Sequence, residues 1–169
     1  MTRIITLQEV QGVKPLSAHV KDKFFNQFIE DAQISLLKPL IGPKLYNAII
    51  KEPSDYTELL EGGFYDDDKR SHSGLKRVLI EFTYTLYMFE SADVSTPFGM
   101  IVKDFKDGQK IDRQREKELK TKRQQIASQY WHEVQHFIFF TEELRVMFRG
   151  SPEANRTYKS QTIKRDQWL

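Results

Sequence analysis

The sequence contains no cysteine, which excludes disulfide bridges, thiolate metal sites and cysteine nucleophiles. Its 8 glycines and 6 prolines are too few for a collagen-like or low-complexity chain. Apolar runs such as Phe137–Phe140 are far shorter than the ~20 residues of a membrane helix, so no membrane partner is expected. The N-terminus has no long apolar stretch or small-residue cleavage site, so no signal peptide is predicted. A soluble, helical and mostly globular chain remains.

Charge is nearly balanced overall but unevenly distributed. With 26 basic and 24 acidic residues the net charge is +2, which argues against a strongly basic nucleic-acid binder. Residues 52–68 contain seven acidic and no basic residues, whereas residues 103–123 contain nine basic and five acidic ones. Residues 149–169 contain five basic and two acidic residues. These segments are either solvated faces, or patches of opposite sign that meet between copies of the protein.

The first half of the sequence predicts an N-terminal arm followed by short helices. Thr2–Pro15 reads as an extended arm or a short strand, and Ser17 as the cap of the next helix. Pro39 is expected to end or break that helix, and Gly42-Pro43 to form a turn before a second one. A capping box is predicted at Asp55 and Glu58, followed by a polar loop over Asp66–Ser73. The apolar face of the first helix comprises Phe25, Phe28, Ile29, Ala32 and Leu36.

The second half predicts a central helix, a hairpin and a long helix. Leu75–Phe89 is apolar nearly all round, which is typical of a central helix. A short strand with Ile101, Val102 and Phe105 is expected to form a hairpin that turns at Asp107-Gly108. One long helix follows, with a predicted break near Phe140 and a fresh N-cap at Thr141. The predicted fold is therefore a mainly α bundle of four to five helices with one β-hairpin and extended terminal arms, divided into residues 1–16, 17–149 and 150–169.

The sequence contains one match to a catalytic motif. His132-Glu133-Val134-Gln135-His136 is H-E-x-x-H on a predicted helix, in which two histidines can bind zinc and the Glu acts as general base. No third ligand follows at a recognisable spacing, and the helical period turns both histidines away from the apolar face. A zinc-dependent hydrolase with His132 and His136 as ligands and Glu133 as catalytic residue is therefore the alternative interpretation, and the favoured one is that both histidines lie on the surface or at an interface with a partner.

Two other features allow weaker interpretations. Asp66-Asp67-Asp68 could attract a divalent ion, but it lacks the glycine and terminal Glu of a calcium loop and reads as a solvated turn. The basic stretch Lys110–Arg123 could contact the phosphates of a nucleic acid, so a nucleic-acid-binding module is a third interpretation. Such binding would weaken with salt and would not depend on the nucleotide sequence. No phosphate-binding glycine loop and no G-x-S-x-G motif occurs.

Three stretches resemble a known family. They are Phe28–Gln33 with Leu40–Tyr46, then Gly74–Arg77 leading into the aromatic helix Phe82–Phe89, and finally Ser95–Lys103. Together they are similar to the head–tail connector (adaptor, neck or ring) proteins of tailed bacteriophages, most of all those of Bacteroidetes-infecting, crAss-like phages. The similarity extends over about residues 20 to 150.

The resemblance implies a non-enzymatic structural protein of the virion neck, made in the host cytoplasm and needing no cofactor. It would form a twelve-membered ring that docks on the portal protein, contacts the tail or a second ring protein, and extends the DNA channel without reading the DNA sequence. Contacts with partners are expected in the hairpin region and in the C-terminal arm. The residues predicted to make them are Thr96, Phe98, Met100, Ile101, Val102, Phe105, Tyr158, Ile163 and Trp168.

Overall fold

The computed structural model describes residues 2–17, 19–90, 93–96, 99–102 and 113–148. Within these ranges the mainly α fold predicted from the sequence is confirmed, although eight α-helices occur where four to five were predicted, several of them only one or two turns long. The helices are α1 Leu7–Val13, α2 Asp22–Ala32, α3 Lys38–Ile41, α4 Pro43–Lys51, α5 Thr57–Glu61, α6 Leu75–Glu90, α7 Arg113–Phe140 and α8 Glu142–Phe148. The strands are β1 Gly63–Tyr65, β2 Arg70–His72, β3 Asp93–Thr96 and β4 Gly99–Val102.

The N-terminal segment is part of the core, and its interpretation as an extended arm or short strand is wrong. Helix α1 begins with a capping box, in which the Thr6 hydroxyl accepts from the Glu9 amide while the Glu9 carboxylate accepts from the Thr6 amide. Ile5, Leu7 and Val10 are buried in the main hydrophobic cluster. The apolar side of this helix is only two turns long, so its period is too short to be read from sequence.

Helical backbone continues through Pro39, contrary to the expected break. A π-helical turn over Gln33–Leu37 joins α2 to α3, and the Lys38 amide donates to the Gln33 carbonyl. This turn changes the hydrogen-bond pattern just before Pro39, whose ring and missing N–H do not fit a regular α-helix interior. The chain turns at Gly42, at φ +83°, and Pro43 starts α4 as predicted.

Helix α6 is central, as its sequence predicts. Its first half buries Leu75, Val78 and Leu79 completely. Its second half packs against α2, where the Tyr87 ring lies 5.1 Å from Phe25 and 5.6 Å from Phe28 between centroids. Helices α1, α2, α5 and α7 all pack on α6, so the bundle is organised around it.

The structure has two hairpins among its described residues, one of which was not predicted. Strands β1 and β2 pair antiparallel with Phe64 opposite Ser71, so β2 lies inside the segment Asp66–Ser73 that was expected to be a polar loop. Asp66, Asp67 and Asp68 form its turn with φ between 52° and 60°, a left-handed conformation that Asp tolerates better than most residues. The expected capping box at Asp55 and Glu58 is wrong, since Tyr56 occupies the N-cap of α5 without a side-chain hydrogen bond.

The second hairpin contains the predicted strand but pairs it differently. Ile101 lies in β4 opposite Val94 of β3, so the partner strand precedes it in sequence. The predicted turn at Asp107-Gly108 and the strand residue Phe105 lie outside the described residues. The predicted break after Phe140 is confirmed: α7 ends there, and the Thr141 carbonyl accepts from the Arg145 amide at the start of α8.

Replacement of Gly62 by Ala is expected to destabilise the fold severely. Gly62 has φ +86°, and a Cβ there would lie 2.5 Å from the His72 carbonyl oxygen and 2.7 Å from the Gly74 nitrogen. Gly12 is the matched control, because it lies inside α1 with open space around it, and its replacement by Ala is expected to stabilise by about 0.5–1 kcal/mol. Urea unfolding of both variants tests this, and a tolerated G62A would contradict the backbone contact between Gly62 and Gly74.

Candidate functional site

The H-E-x-x-H segment lies on α7 with its histidines in solvent. Val134, Phe137 and Ile138 of the same turns are buried in the core, whereas His132 and His136 are exposed. The helical period had predicted this orientation. The Glu133 carboxylate is partly buried and accepts a hydrogen bond from the Ser73 hydroxyl at 2.7 Å. Glu133 therefore ties α7 to the end of the β1–β2 hairpin.

No zinc site is assembled in the described part of the chain. Among the residues of known placement, no group of three His, Asp or Glu side chains is close enough to hold a metal ion. Asp66, Asp67 and Asp68 are included in that statement, and Asp66 instead faces the Arg70 side chain at 3.4 Å. The described residues therefore supply no set of metal ligands for the hydrolase interpretation or for the divalent-ion interpretation.

A buried histidine, which the sequence did not single out, lies beside Glu133. The His72 ring stacks on Phe137 with centroids 4.1 Å apart, and Tyr65 meets both rings edge-on. His72 Nδ1 has no hydrogen-bond partner among the described groups. Burial lowers the pKa of His72 below its usual 6.5, although the negative charges of Glu133 and Glu58 act in the opposite direction. The folded protein therefore favours the neutral imidazole.

The stability of the protein is expected to fall as the pH decreases below 6.5. In that range the unfolded chain protonates His72 before the folded chain does, so protons favour unfolding. His72→Phe keeps an aromatic ring on Phe137 and should flatten this decline, whereas the exposed His136→Gln should keep it. Urea unfolding at several pH values measures the effect. Equal slopes for the wild type and His72→Phe would contradict it.

The residues predicted to make contacts fall partly on the second hairpin. Thr96 ends β3, and Met100, Ile101 and Val102 lie on β4. The sheet contains only these two strands among the described elements, and neither strand packs extensively against a described helix. The other predicted contact residues, Phe98, Phe105, Tyr158, Ile163 and Trp168, lie outside the described residues.

The first half of α7 lies beyond the apolar core. Among the α7 residues whose burial is described, Ala127 is the first buried one, and Lys117, Lys120 and Lys122 are exposed. Helix α7 meets the antiparallel α6 through cations placed over aromatic rings, which involve Lys120 and Arg123 of its first half and Tyr130 of its second half. Arg77 lies 5.0 Å from the Tyr130 ring, Arg123 lies 5.0 Å from the Tyr84 ring and Lys120 lies 5.8 Å from the Phe89 ring. Such pairs stabilise modestly and keep the cations accessible, as the nucleic-acid interpretation requires.

A groove at the opposite end of α7 brings together parts of the chain that are distant in sequence. Its volume is about 490 Å³, and we call it the α5–α8 groove. Asp55, Glu58 and Glu143 lie at its edge and are all exposed. The remaining lining residues are Ser54, Tyr56, Thr57, Leu59, Phe137, Thr141, Leu144 and Met147. The acidic run in the sequence signalled part of this groove, but Glu143 joins it only through the fold.

Comparison with known proteins adds a family but no characterised relative. No curated protein matches the chain, and no solved structure matches it. No helix in the described ranges is long and apolar enough to cross a membrane. A family of unknown function, DUF6712, matches residues 37–143, which is more than half of the chain and includes α3 to α7. The chain therefore belongs to the DUF6712 family of unknown function.

Proposed function

We propose that this protein is a structural connector subunit of a tailed-phage virion. It would form a ring in the neck, dock on the portal protein and extend the DNA channel toward the tail. The observation that carries the proposal is the incomplete packing at the end of the molecule where α6 ends and α7 begins. There, neither strand of the β3–β4 hairpin packs extensively against a described helix, and no α7 residue of described burial before Ala127 is buried.

A lone hairpin favours a partner outside the described fold. Two-stranded sheets are marginally stable in water, and free strand edges readily pair with other strands. The hairpin β3–β4 has both edges unpaired among the described elements. A neighbouring subunit would supply the missing contacts, as the connector proposal requires. The basic first half of α7 lies in the same part of the chain and could face a DNA channel without sequence recognition.

The distribution of the resembling stretches also supports the proposal. Phe28–Gln33 and Leu40–Tyr46 meet in the fold, where Gln33 Nε2 donates to the Tyr46 hydroxyl at 2.9 Å. These two stretches therefore form a scaffold. The third stretch, Ser95–Lys103, includes most of the unpartnered hairpin. The similarity to connector proteins thus covers both contacts inside the fold and the hairpin that we propose binds a neighbouring subunit.

Native mass spectrometry and negative-stain electron microscopy over a concentration series test the assembly. We expect closed rings, or rings that form when the portal protein encoded by the same genome is added. A chain that stays monomeric at high concentration and does not bind that portal protein would overturn the proposal.

The hairpin's contribution is tested by Ile101→Asp with Val102→Asp, which places a charge on each face of β4. This double variant is expected to abolish rings or portal binding while the melting temperature changes little, because neither strand packs extensively against a described helix. Val146→Asp is the matched control, since Val146 is an exposed apolar residue on α8. Equal loss of assembly in Val146→Asp would show that the effect is not specific to the hairpin, and it would contradict the prediction.

A further inference from the structure

The α5–α8 groove has the chemistry of a binding site for a cationic segment. Asp55, Glu58 and Glu143 place three carboxylates at its edge, and no Lys or Arg occurs among its described lining residues. No ion pair of these three carboxylates occurs within the described chain, whereas nearby Glu142 is paired with Arg145 at 3.3 Å. Negative potential is therefore left uncompensated around the opening.

The lining of the groove combines polar side chains with a few apolar ones at its base. Leu59, Phe137 and Leu144 are buried beneath it, and the Tyr56 hydroxyl donates to the Met147 sulfur at 3.7 Å. Methionine and aromatic side chains provide an adaptable surface for a large ring. A ligand that fits both features carries basic side chains and one large apolar anchor.

The chain itself supplies such a segment. Residues 149–169 contain five basic and two acidic residues, and Lys164 and Arg165 closely precede Trp168. The segment follows directly after α8, whose Leu144 and Met147 line the groove. Twenty residues of extended chain reach up to about 70 Å, so Trp168 can reach the groove of its own chain or of a neighbouring copy.

We propose that the α5–α8 groove binds residues 150–169, with Trp168 against the apolar side chains at its base and Lys164 and Arg165 at the acidic edge. This inference does not depend on the connector proposal, because it concerns one groove and one segment of this chain. Two ion pairs between these cations and the exposed carboxylates contribute about a tenfold increase in the docking constant. Docking should therefore weaken as the salt concentration rises.

Acrylamide quenching of tryptophan fluorescence in the full chain tests the proposal. The protein has two tryptophans, and Trp131 is only 6% exposed, so subtracting the Trp168→Phe signal isolates Trp168. We expect Trp168 to be protected in the wild type relative to a free 150–169 peptide. The variant Asp55→Asn, Glu58→Gln, Glu143→Gln should weaken docking about tenfold and expose it.

A second triple variant provides the control at the same net charge. Asp31→Asn, Glu90→Gln and Glu118→Gln neutralise three exposed carboxylates outside the groove and should leave Trp168 protected. Circular dichroism checks that both variants fold. A Trp168 quenched as readily as the free peptide, or equal exposure in both triple variants, would overturn the proposal.

The mass of the protein in solution then shows which chain supplies the bound segment. A monomer with protected Trp168 binds its own segment, whereas an oligomer that dissociates in the groove variant binds the segment of a neighbouring copy.

Discussion

Replacing Lys14 by Met is expected to lower the free energy of unfolding by about 3–5 kcal/mol. The Lys14 ammonium lies 2.6 Å from Glu81 Oε1, and the two side chains are only 8% and 0% exposed. The pair joins the end of α1 to the central helix α6 across 67 residues of sequence. Removal of the ammonium leaves a carboxylate inside the core without its main partner, and an uncompensated buried charge costs far more than a lost surface pair.

The surroundings of Glu81 offer little compensation for that loss. Arg77 Nε is 3.7 Å from the same oxygen, too far for a strong hydrogen bond, and its guanidinium is already engaged with Tyr130. Glu81 Oε2 has no hydrogen-bond partner among the described groups. The remaining attraction of Arg77 therefore reduces the expected destabilisation without removing it.

Two further variants separate the buried charge from the packing. Lys14→Met combined with Glu81→Leu removes both charges and should recover most of the lost stability, because apolar replacement of a buried pair is often neutral. Lys51→Met is the surface control: Lys51 pairs with Glu52 at 2.9 Å but is 80% exposed, so less than about 1 kcal/mol is expected. Urea unfolding measures all three. A double variant as unstable as Lys14→Met would show that the charges are not the cause.

The long helices could be predicted because their apolar periods extend over several turns. Leu75, Val78 and Leu79 share a face of α6 that continues for four turns, and this face is the core of the fold. Helix α1 has only Leu7 and Val10 to mark its buried side, so tertiary packing decides its structure. Thr6 and Glu9 have the spacing of a capping box, which is the local sequence signal for the start of α1, and Asp55 and Glu58 have the same spacing without forming one.

The candidate sites could be predicted only where one continuous segment forms them. The exposure of His132 and His136 followed from the helical period on α7. The α5–α8 groove brings Asp55 and Glu58 close to Glu143, which is more than 80 residues later in sequence. The helical period gives only local information, so it cannot predict this contact between distant segments. His72 was likewise missed, because a lone histidine in a polar loop gives no sign that it will stack on Phe137.

Replacing Gln33 by Met is expected to lower the free energy of unfolding by about 2–4 kcal/mol, although no charge is lost. Gln33 is fully buried, and its side-chain amide makes three hydrogen bonds of 2.9 Å. Its Oε1 accepts from the Ile4 amide, and its Nε2 donates to the Thr2 carbonyl and to the Tyr46 hydroxyl. Methionine fills a similar volume but leaves these three polar groups without their partner.

Tyr46→Phe distinguishes anchoring of the N-terminal segment from general loss of packing. This variant removes only the hydroxyl, so about 1 kcal/mol is expected and both bonds from Gln33 to the N-terminal backbone remain. Hydrogen exchange at the Ile4 amide should therefore accelerate strongly in Gln33→Met and little in Tyr46→Phe. Equal exchange in the two variants would mean that the core, and not the Gln33 amide, holds residues 2–5. The expected difference would instead identify Gln33, the last residue of the first resembling stretch, as the group that attaches the N-terminal backbone to the bundle.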